Sequence, residues 1–131
     1  MPDVKIHLWF EKEDGVYFGR GRYELLRLID ELGSLKLAAQ KIGMSYRGAW
    51  GKIKKTEEIL GRELIHKENN KEGYKLTEFG KFVMEEFKKY FDDVDQYAHS
   101  KSVEMLNRIK TFSVPIIISL YYCVSDLAEY I

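Results

Sequence analysis

The sequence of 131 residues predicts an α+β fold, namely a winged helix-turn-helix with an N-terminal strand or hairpin and a long C-terminal dimerisation helix. Three observations predict it. An alternating apolar segment opens the chain, and three amphipathic helical patterns that end in glycines follow it. A polar turn between two short strand-like segments then precedes a long helix rich in aromatic residues. Two closely spaced helices followed by a small hairpin are typical of this fold.

Composition limits the class of protein. Hydrophobic residues make up 45% of the chain and charged residues 32%, which is typical of a folded domain rather than a disordered tail. The longest apolar run, residues 114–124, is much shorter than the ~20 residues of a membrane-spanning helix, so we expect no membrane association. The single cysteine, Cys123, cannot form an internal disulfide, and no secretory leader is recognised. We therefore expect a cytoplasmic protein.

The net charge of zero conceals an uneven distribution of charge along the chain. Residues 1–33 carry 5 basic and 7 acidic side chains, residues 34–75 carry 10 and 5, and residues 76–131 carry 6 and 9. The net charges of these segments are therefore −2, +5 and −3. An anionic partner would be attracted by the middle segment.

The first elements are a predicted hairpin and a helix. Apolar and polar residues alternate in VKIHLWFE (4–11), which predicts a strand with one buried face, and EDG (13–15) favours a turn into a second strand. GRGR (19–22) lacks the third glycine and the flanking elements of a phosphate-binding loop, so we interpret it as a plain turn. Residues 22–32 then show the spacing of an amphipathic helix that Gly33 closes.

Two further helices are predicted in close succession. Ser34 is expected to cap a short helix that ends at Gly43. Ser45 is expected to cap a third helix that ends at Gly61. Two helices joined by a short turn with glycine form a helix-turn-helix, whose second helix enters the major groove of DNA. We therefore expect residues 45–60 to be a recognition helix.

A helical wheel divides the predicted recognition helix into two faces. The face expected to pack on the other helices contains Ala49, Ile53, Thr56 and Leu60, with Tyr46 beside them. The opposite face contains Arg47, Gly51, Lys54, Lys55 and Glu58, with Lys52 at its flank. Phosphate contacts are expected from Lys36, Lys52, Lys54 and Lys55. An ordinary solvated helix face is the alternative interpretation of these lysines.

Gly48, Trp50 and Gly51 are unusual residues for an exposed helix. Each interior glycine costs ~1 kcal/mol relative to alanine. Close approach of the backbone to DNA or to a neighbouring helix would explain both glycines. The ring of Trp50 lies near the boundary of the two faces, so it either packs into the domain or contacts nucleic acid.

A wing is predicted over residues 64–76, because two strand-like segments, 62–67 and 74–76, flank the polar turn ENNKEG (68–73). The residues expected to contact the phosphate backbone or the minor groove are Lys67, Asn69, Asn70, Lys71 and Lys75. An ordinary surface hairpin is the alternative.

The segment from 77 to 98 predicts a long helix that Thr77 caps. Its aromatic and aliphatic residues cover a stripe wider than one small domain would need, so we expect a homodimer. A dimer would present two recognition helices to half-sites about one helical turn apart. The alternative is that this helix covers only the core of its own domain.

The sequence resembles the N-terminal winged-helix domain of the ModE-type molybdenum-dependent transcription regulators, which is itself similar to the DNA-binding domain of LysR-type regulators. The likeness covers residues 4–98, and GSLKLAAQKIGMSYRGAW (33–50) is its most specific part. It implies a dimeric DNA-binding winged helix with Ser45, Tyr46 and Arg47 at the start of the recognition helix. We expect Tyr46 and Arg47 to read base edges.

The C-terminal part departs from the resemblance. Full-length members of the ModE-type family carry a β-rich molybdate-binding region, and residues 100–131 are too few and too different to supply one, so we do not expect molybdate sensing. We expect a winged-helix domain over residues 1–98 and an extension of unknown role over residues 99–131. Residues 101–110 suggest a short helix, and an apolar segment follows Pro115. That segment is a candidate site for an unknown effector or a protein partner.

Catalysis has little support in the sequence. The three histidines are widely separated, and no metal-ligating spacing or nucleophilic triad is recognised, so we expect neither an enzyme nor a metal or cofactor. The predicted function is a sequence-specific, double-stranded DNA-binding transcription regulator that acts as a homodimer. The alternative is a dimeric protein-interaction adaptor that uses its apolar tail without binding DNA. An effector-responsive sensor is a further hypothesis.

Overall fold

The computed structural model of the protein describes residues 3–68 and 73–112. The described chain divides into two compact units, one of residues 7–91 and one that combines residues 3–6 with residues 92–112. The predictions for Asn69, Asn70, Lys71 and the apolar tail after Pro115 lie outside the described residues.

The first unit begins with an antiparallel hairpin of β1 (Trp9–Lys12) and β2 (Gly15–Gly19). The hairpin is as predicted, but the strand expected over residues 4–11 is wrong at its N-terminal end. The ladder stops at the pair of Trp9 and Gly19, because the chain enters a helix at Arg20 and no longer offers extended backbone to pair with.

Helix α1 (Arg20–Leu32) starts earlier than predicted, so the interpretation of residues 19–22 as a plain turn is wrong. Burial of Arg22 explains the early start. Its Nη2 donates to the carbonyl of Val16 at 3.1 Å and its Nε donates to the carbonyl of Lys52 at 3.2 Å. These bonds fix the first turn of α1 against β2 and the third helix.

Helices α2 (Leu35–Ile42) and α3 (Tyr46–Leu60) confirm the predicted helix-turn-helix and its caps. Ser34 Oγ accepts a hydrogen bond from the N–H of Leu37, and Ser45 Oγ accepts one from the N–H of Gly48, both at 3.0 Å. Glycines in the left-handed region end all three helices at Gly33, Gly43 and Gly61. The local signals therefore set these helix bounds.

The core of the first unit lies between the three helices, the wing and the start of the last helix. Its buried apolar residues are Phe18, Leu25, Leu26, Leu28, Ile29, Leu35, Ala38, Ala39, Ala49, Ile53, Leu64, Ile65, Leu76 and Phe87. Thr56 is buried too, and its hydroxyl donates to the carbonyl of Tyr17. The prediction that Leu60 is buried is wrong, since it is the last residue of α3 and lies at the rim of an apolar groove.

The predicted wing is present as an antiparallel pair of β3 (Ile65–Lys67) and β4 (Tyr74–Leu76). The N–H of Tyr74 donates to the carbonyl of Gly33 at 3.1 Å, so β4 is attached to the end of α1.

Helix α4 (Glu78–Thr111) is longer than predicted. Thr77 Oγ1 accepts a hydrogen bond from the N–H of Gly80 at 2.9 Å, and a Cβ on Gly80 would collide with the carbonyl oxygen of Leu64, so only glycine fits there. The separate short helix predicted over residues 101–110 is wrong, because that segment continues α4. No glycine or proline occurs from residue 81 to 111 to end the helix.

The aromatic stripe of α4 is only partly used by its own domain. Phe87 is buried and packs against the rings of Phe18 and Tyr23, at centroid distances of 5.2 and 5.6 Å. By contrast, the exposed fractions are 58% for Phe82 and 48% for Tyr90. The helix therefore covers its own core and also presents an aromatic surface.

The second unit contains the C-terminal part of α4. Side chains one turn apart pair along its surface, as between Lys101 and Glu104 at 3.1 Å. Ile109 and Phe112 are exposed there.

Candidate nucleic-acid interface

The first turn of α3 carries three of the predicted DNA contacts. Ser45 caps the turn and thereby fixes its direction, since its hydroxyl oxygen is bound to the N–H of Gly48. Arg47 is exposed, and it makes no ion pair within the described residues. A guanidinium in this position offers a planar fork of donors to solvent.

Tyr46 lies at the same end of α3 with an exposed fraction of 47%. Desolvation and then a hydrogen bond with Tyr74 raise the pKa of its hydroxyl, while the charge of Lys67 acts in the opposite direction. The hydroxyl therefore stays neutral at neutral pH and keeps both a donor and an acceptor. Its partner Tyr74 connects the start of α3 with the wing.

Three predicted lysine contacts are exposed on three different elements. Lys36 lies on α2, Lys52 on α3 and Lys67 on β3. None of the three ammonium groups makes an ion pair in the part of the chain that the structure describes. Their charge is therefore available to an external anion.

Lys54 and Lys55 are in a different situation from these lysines. The Nζ of Lys54 lies 2.8 Å from Oε1 of Glu57 and 4.3 Å from the ring centroid of Trp50. The Nζ of Lys55 donates to the carbonyl of Asp14 at 2.9 Å and lies 3.9 Å from its carboxylate. Both lysines remain partly exposed, as expected for the outer face of α3, but each ammonium group is already bound to a group of the chain itself, and their phosphate contacts stay a prediction.

Glu57 is the residue that the sequence reasoning missed. Its carboxylate is 8% exposed, and it accepts hydrogen bonds from the N–H groups of Leu64 and Ile65, at 2.7 and 3.3 Å. The sequence contained a signal for this burial, since Glu57 follows Ile53 by four residues and so lies at the edge of the apolar face of the helix. A carboxylate in that position must find buried donors.

The alternatives for Trp50 are resolved in favour of packing. Its ring is half-buried against the core and lies 6.1 Å from the ring of Tyr74. Trp50 thus supports the contact between α3 and the wing.

The two glycines of α3 have no explanation in packing between helices. A Cβ on Gly51 would have no heavy atom within 4 Å, and one on Gly48 would meet only Ser45 Oγ, at 3.0 Å. Both residues are exposed. Among the described residues, no neighbouring helix therefore explains Gly51, and close approach of the backbone to DNA stays a prediction.

Neither a metal-binding cluster nor a membrane-spanning helix occurs in residues 3–68 and 73–112. That part of the chain holds no group of three or more His, Cys, Asp or Glu side chains placed to bind a metal ion. None of its helices combines the length and apolar character needed to cross a membrane.

Comparison with known proteins gives a family match. Residues 21–81 match the family of bacterial regulatory helix-turn-helix proteins of the LysR type. This segment runs from α1 through the wing to the start of α4. A search among curated proteins gave no significant match.

Two solved structures are similar to part of the chain. The BenM DNA-binding domain in complex with catB site 1 DNA is 26% identical, with a TM-score of 0.48, and the alignment covers 70% of this chain and 93% of that one. The complex of the same domain with benA site 1 DNA is 28% identical, with a TM-score of 0.47, and covers 69% and 91%. Both TM-scores are below 0.5, so neither match decides fold or function.

The family match agrees with the geometry of the site. The matched residues include the capped helix-turn-helix, the exposed cations of α3 and the wing. The match supports the broader LysR-type assignment, whereas the narrower ModE-type assignment has no support from it. A regulatory helix-turn-helix family also points away from an enzyme. Residues 21–81 are thus similar to the LysR-type helix-turn-helix proteins, and the chain is a sequence-specific DNA-binding transcription regulator.

Proposed function

We propose that this regulator binds duplex DNA as a homodimer, with α3 in the major groove and the wing on the phosphate backbone. The observation that carries the proposal is the exposed N-terminal half of α3, where Tyr46, Arg47 and Lys52 face solvent on a capped helix. In helix-turn-helix proteins, this part of the second helix contacts the base edges.

Phosphate contacts supply the affinity in this proposal. Lys36, Lys52 and Lys67 are the strongest candidates, because their charges have no ion-pair partner in the described chain. Lys54 and Lys55 are weaker candidates, since each would have to leave an intramolecular partner. Asn70 and Lys71 stay predictions that lie outside the described residues.

Base readout is assigned to Arg47 and Tyr46. The guanidinium of Arg47 can donate two hydrogen bonds to a guanine in the major groove. The neutral hydroxyl of Tyr46 can accept or donate beside it. Ser45 contributes by capping the helix and so directing this turn toward the DNA.

The homodimer is proposed from the aromatic surface of α4. Phe82 and Tyr90 are large, exposed rings on the helix that also packs on the core. With Phe10, Leu60 and Phe79 they line an apolar groove of about 340 Å³. Burial of such rings against the same surface of a second copy would stabilise an isologous pair.

Fluorescence anisotropy with a labelled duplex of random sequence tests the proposal. Six phosphate contacts, three lysines on each of two protomers, should give a slope of about −5 for the logarithm of the binding constant against the logarithm of salt concentration. Sedimentation of the protein at the same concentration tests the homodimer. No binding at low salt would refute DNA binding, and binding without a salt slope would refute the proposed phosphate contacts.

The adaptor is the second candidate, and the exposure of Ile109 and Phe112 at the end of α4 favours it. In that case the extension over residues 99–131 would receive a protein partner. The absence of any DNA binding by a stable dimer would favour the adaptor. A thermal-shift screen with oxyanions and small metabolites tests the sensor hypothesis separately.

A further inference from the structure

Glu57 lies where α3 meets the first strand of the wing, and its carboxylate is bonded to both. Oε1 accepts a hydrogen bond from Nζ of Lys54 on the same helix at 2.8 Å. Oε2 accepts bonds from the backbone N–H groups of Leu64 at 2.7 Å and Ile65 at 3.3 Å. The last turn of α3 is thus tied directly to the start of β3.

A carboxylate is the group that this position requires. Burial of a negative charge is costly unless donors surround it, and here one ammonium and two backbone N–H groups do so. Charge-assisted hydrogen bonds of this kind are shorter and stronger than neutral ones. An alanine at this position would leave the two buried N–H groups without this acceptor.

The direction of β3 decides where Lys67 lies. Lys67 follows Ile65 by two residues on the same strand, and its side chain is exposed. Because the carboxylate binds the N–H groups of Leu64 and Ile65, it helps to hold Lys67 in place relative to α3, together with the N–H of Thr77, which donates to the carbonyl of Leu64 at 2.9 Å. The second strand has an independent attachment, from the N–H of Tyr74 to the carbonyl of Gly33.

We propose that Glu57 is a positioning residue for DNA binding, which holds Lys67 of the wing at the phosphate backbone while α3 occupies the groove. This inference rests on the proposed function and deepens it. Glu57 does not touch DNA in this arrangement, and it acts through the strand that carries Lys67.

A double-mutant cycle with Lys67→Ala and Glu57→Ala tests the proposal by fluorescence anisotropy at several salt concentrations. In the parent protein, Lys67→Ala should reduce the salt slope by about one unit for each bound protomer. In the Glu57→Ala background, Lys67→Ala should change the slope little, because the N–H groups of Leu64 and Ile65 have lost their acceptor and Lys67 is already displaced. Circular dichroism should show that each protein is folded at the assay temperature. If Glu57 contributed only to stability, Lys67→Ala would then reduce the slope equally in both backgrounds.

Glu58→Ala is the matched control. Glu58 is the exposed neighbour of Glu57, so its replacement removes the same carboxylate without touching the wing. The effect of Lys67→Ala should persist in that background. If Glu57→Ala does not fold, Glu57→Asp keeps the charge, shortens the side chain, and should weaken the dependence on Lys67.

Two results would overturn the proposal. One is an equal effect of Lys67→Ala in the parent and in the Glu57 variant. The other is the absence of any effect of Lys67→Ala in a parent protein that binds DNA. A parent protein that binds no duplex at low salt would instead refute the proposed function, so the two failures are distinguishable.

Discussion

The two halves of α3 carry cations that serve different purposes. In the N-terminal half, Arg47 and Lys52 are exposed and make no ion pair among the residues described. In the C-terminal half, Lys54 is bound to Glu57, and Lys55 reaches back to Asp14 in the hairpin. The first pair is available to a polyanion. In the second pair, Lys55 holds the helix to the hairpin, and Lys54 binds the carboxylate that contacts the start of the wing.

This difference shows that a charged side chain that points away from the core is not necessarily free to bind DNA. Both lysines of the C-terminal half were expected to face away from the core. Each would have to exchange an existing bond for a phosphate contact, and the net gain of such an exchange is small. We therefore expect the N-terminal half to dominate the affinity for DNA.

The largest expected effect is a loss of stability at Arg22. This residue binds the middle of α3, between its two halves, by donating to the carbonyl of Lys52. Burial lowers the pKa of Arg22 from its ordinary value, but the guanidinium still carries its charge at neutral pH. Arg22→Met removes two hydrogen bonds from a charged donor and should lower the free energy of unfolding by about 3 kcal/mol. Chemical denaturation measures this change.

Arg27→Met is the control on the same helix. Arg27 pairs only with the surface residues Glu24 and Glu31, so its replacement should hardly change the denaturation midpoint. Similar losses from both variants would show that Arg22 does not anchor α3.

The next effect is expected at Arg47. Arg47→Ala should weaken binding to a duplex selected from a random library on the order of 10- to 100-fold, because a bidentate base contact is lost. The melting temperature should stay unchanged, since the side chain makes no ion pair inside the described chain. Arg47→Lys sharpens the test. It should retain much of the affinity for random duplex and lose the preference for the selected one. An unchanged preference would contradict the assignment of base readout.

Gly51→Ala should change stability and DNA binding in opposite directions. A Cβ at this position meets no atom of the described chain, so the helix should gain up to about 1 kcal/mol. If DNA approaches the bare backbone there, affinity should fall severalfold. Gly21→Ala in α1 is the control, because that site is also open and lies on another helix. Equal DNA affinity for both glycine variants and the parent would contradict close approach at Gly51.

The smallest effect on DNA binding is expected at Lys54. Lys54→Ala removes the contact with the Trp50 ring and leaves the nearly buried carboxylate of Glu57 without its ammonium partner, so the free energy of unfolding should fall by about 1 to 3 kcal/mol. Binding to random duplex should change little. A large loss of affinity with unchanged stability would show that Lys54 leaves Glu57 to bind phosphate.

Local signals predicted the starts of α2, α3 and α4 and the ends of α1, α2 and α3, because caps act within one turn. Ser34, Ser45 and the three closing glycines lie where the sequence places them. Long-range contacts were not predictable in this way. The partner of Lys55 lies 41 residues away, and the early start of α1 depends on carbonyls from β2 and α3. Apolar and polar residues do alternate in residues 4–11, but a strand also needs a neighbouring backbone to pair with, and pairing begins only at Trp9.

The most direct test of the account compares Lys52→Ala with Lys55→Ala in anisotropy titrations of random duplex over a range of salt concentrations. Lys52→Ala should reduce the salt slope by about one unit for each bound protomer, and Lys55→Ala should leave it close to that of the parent. Equal reductions for the two variants, or no reduction for Lys52→Ala, would contradict the division of α3 into a DNA-binding half and a structural half.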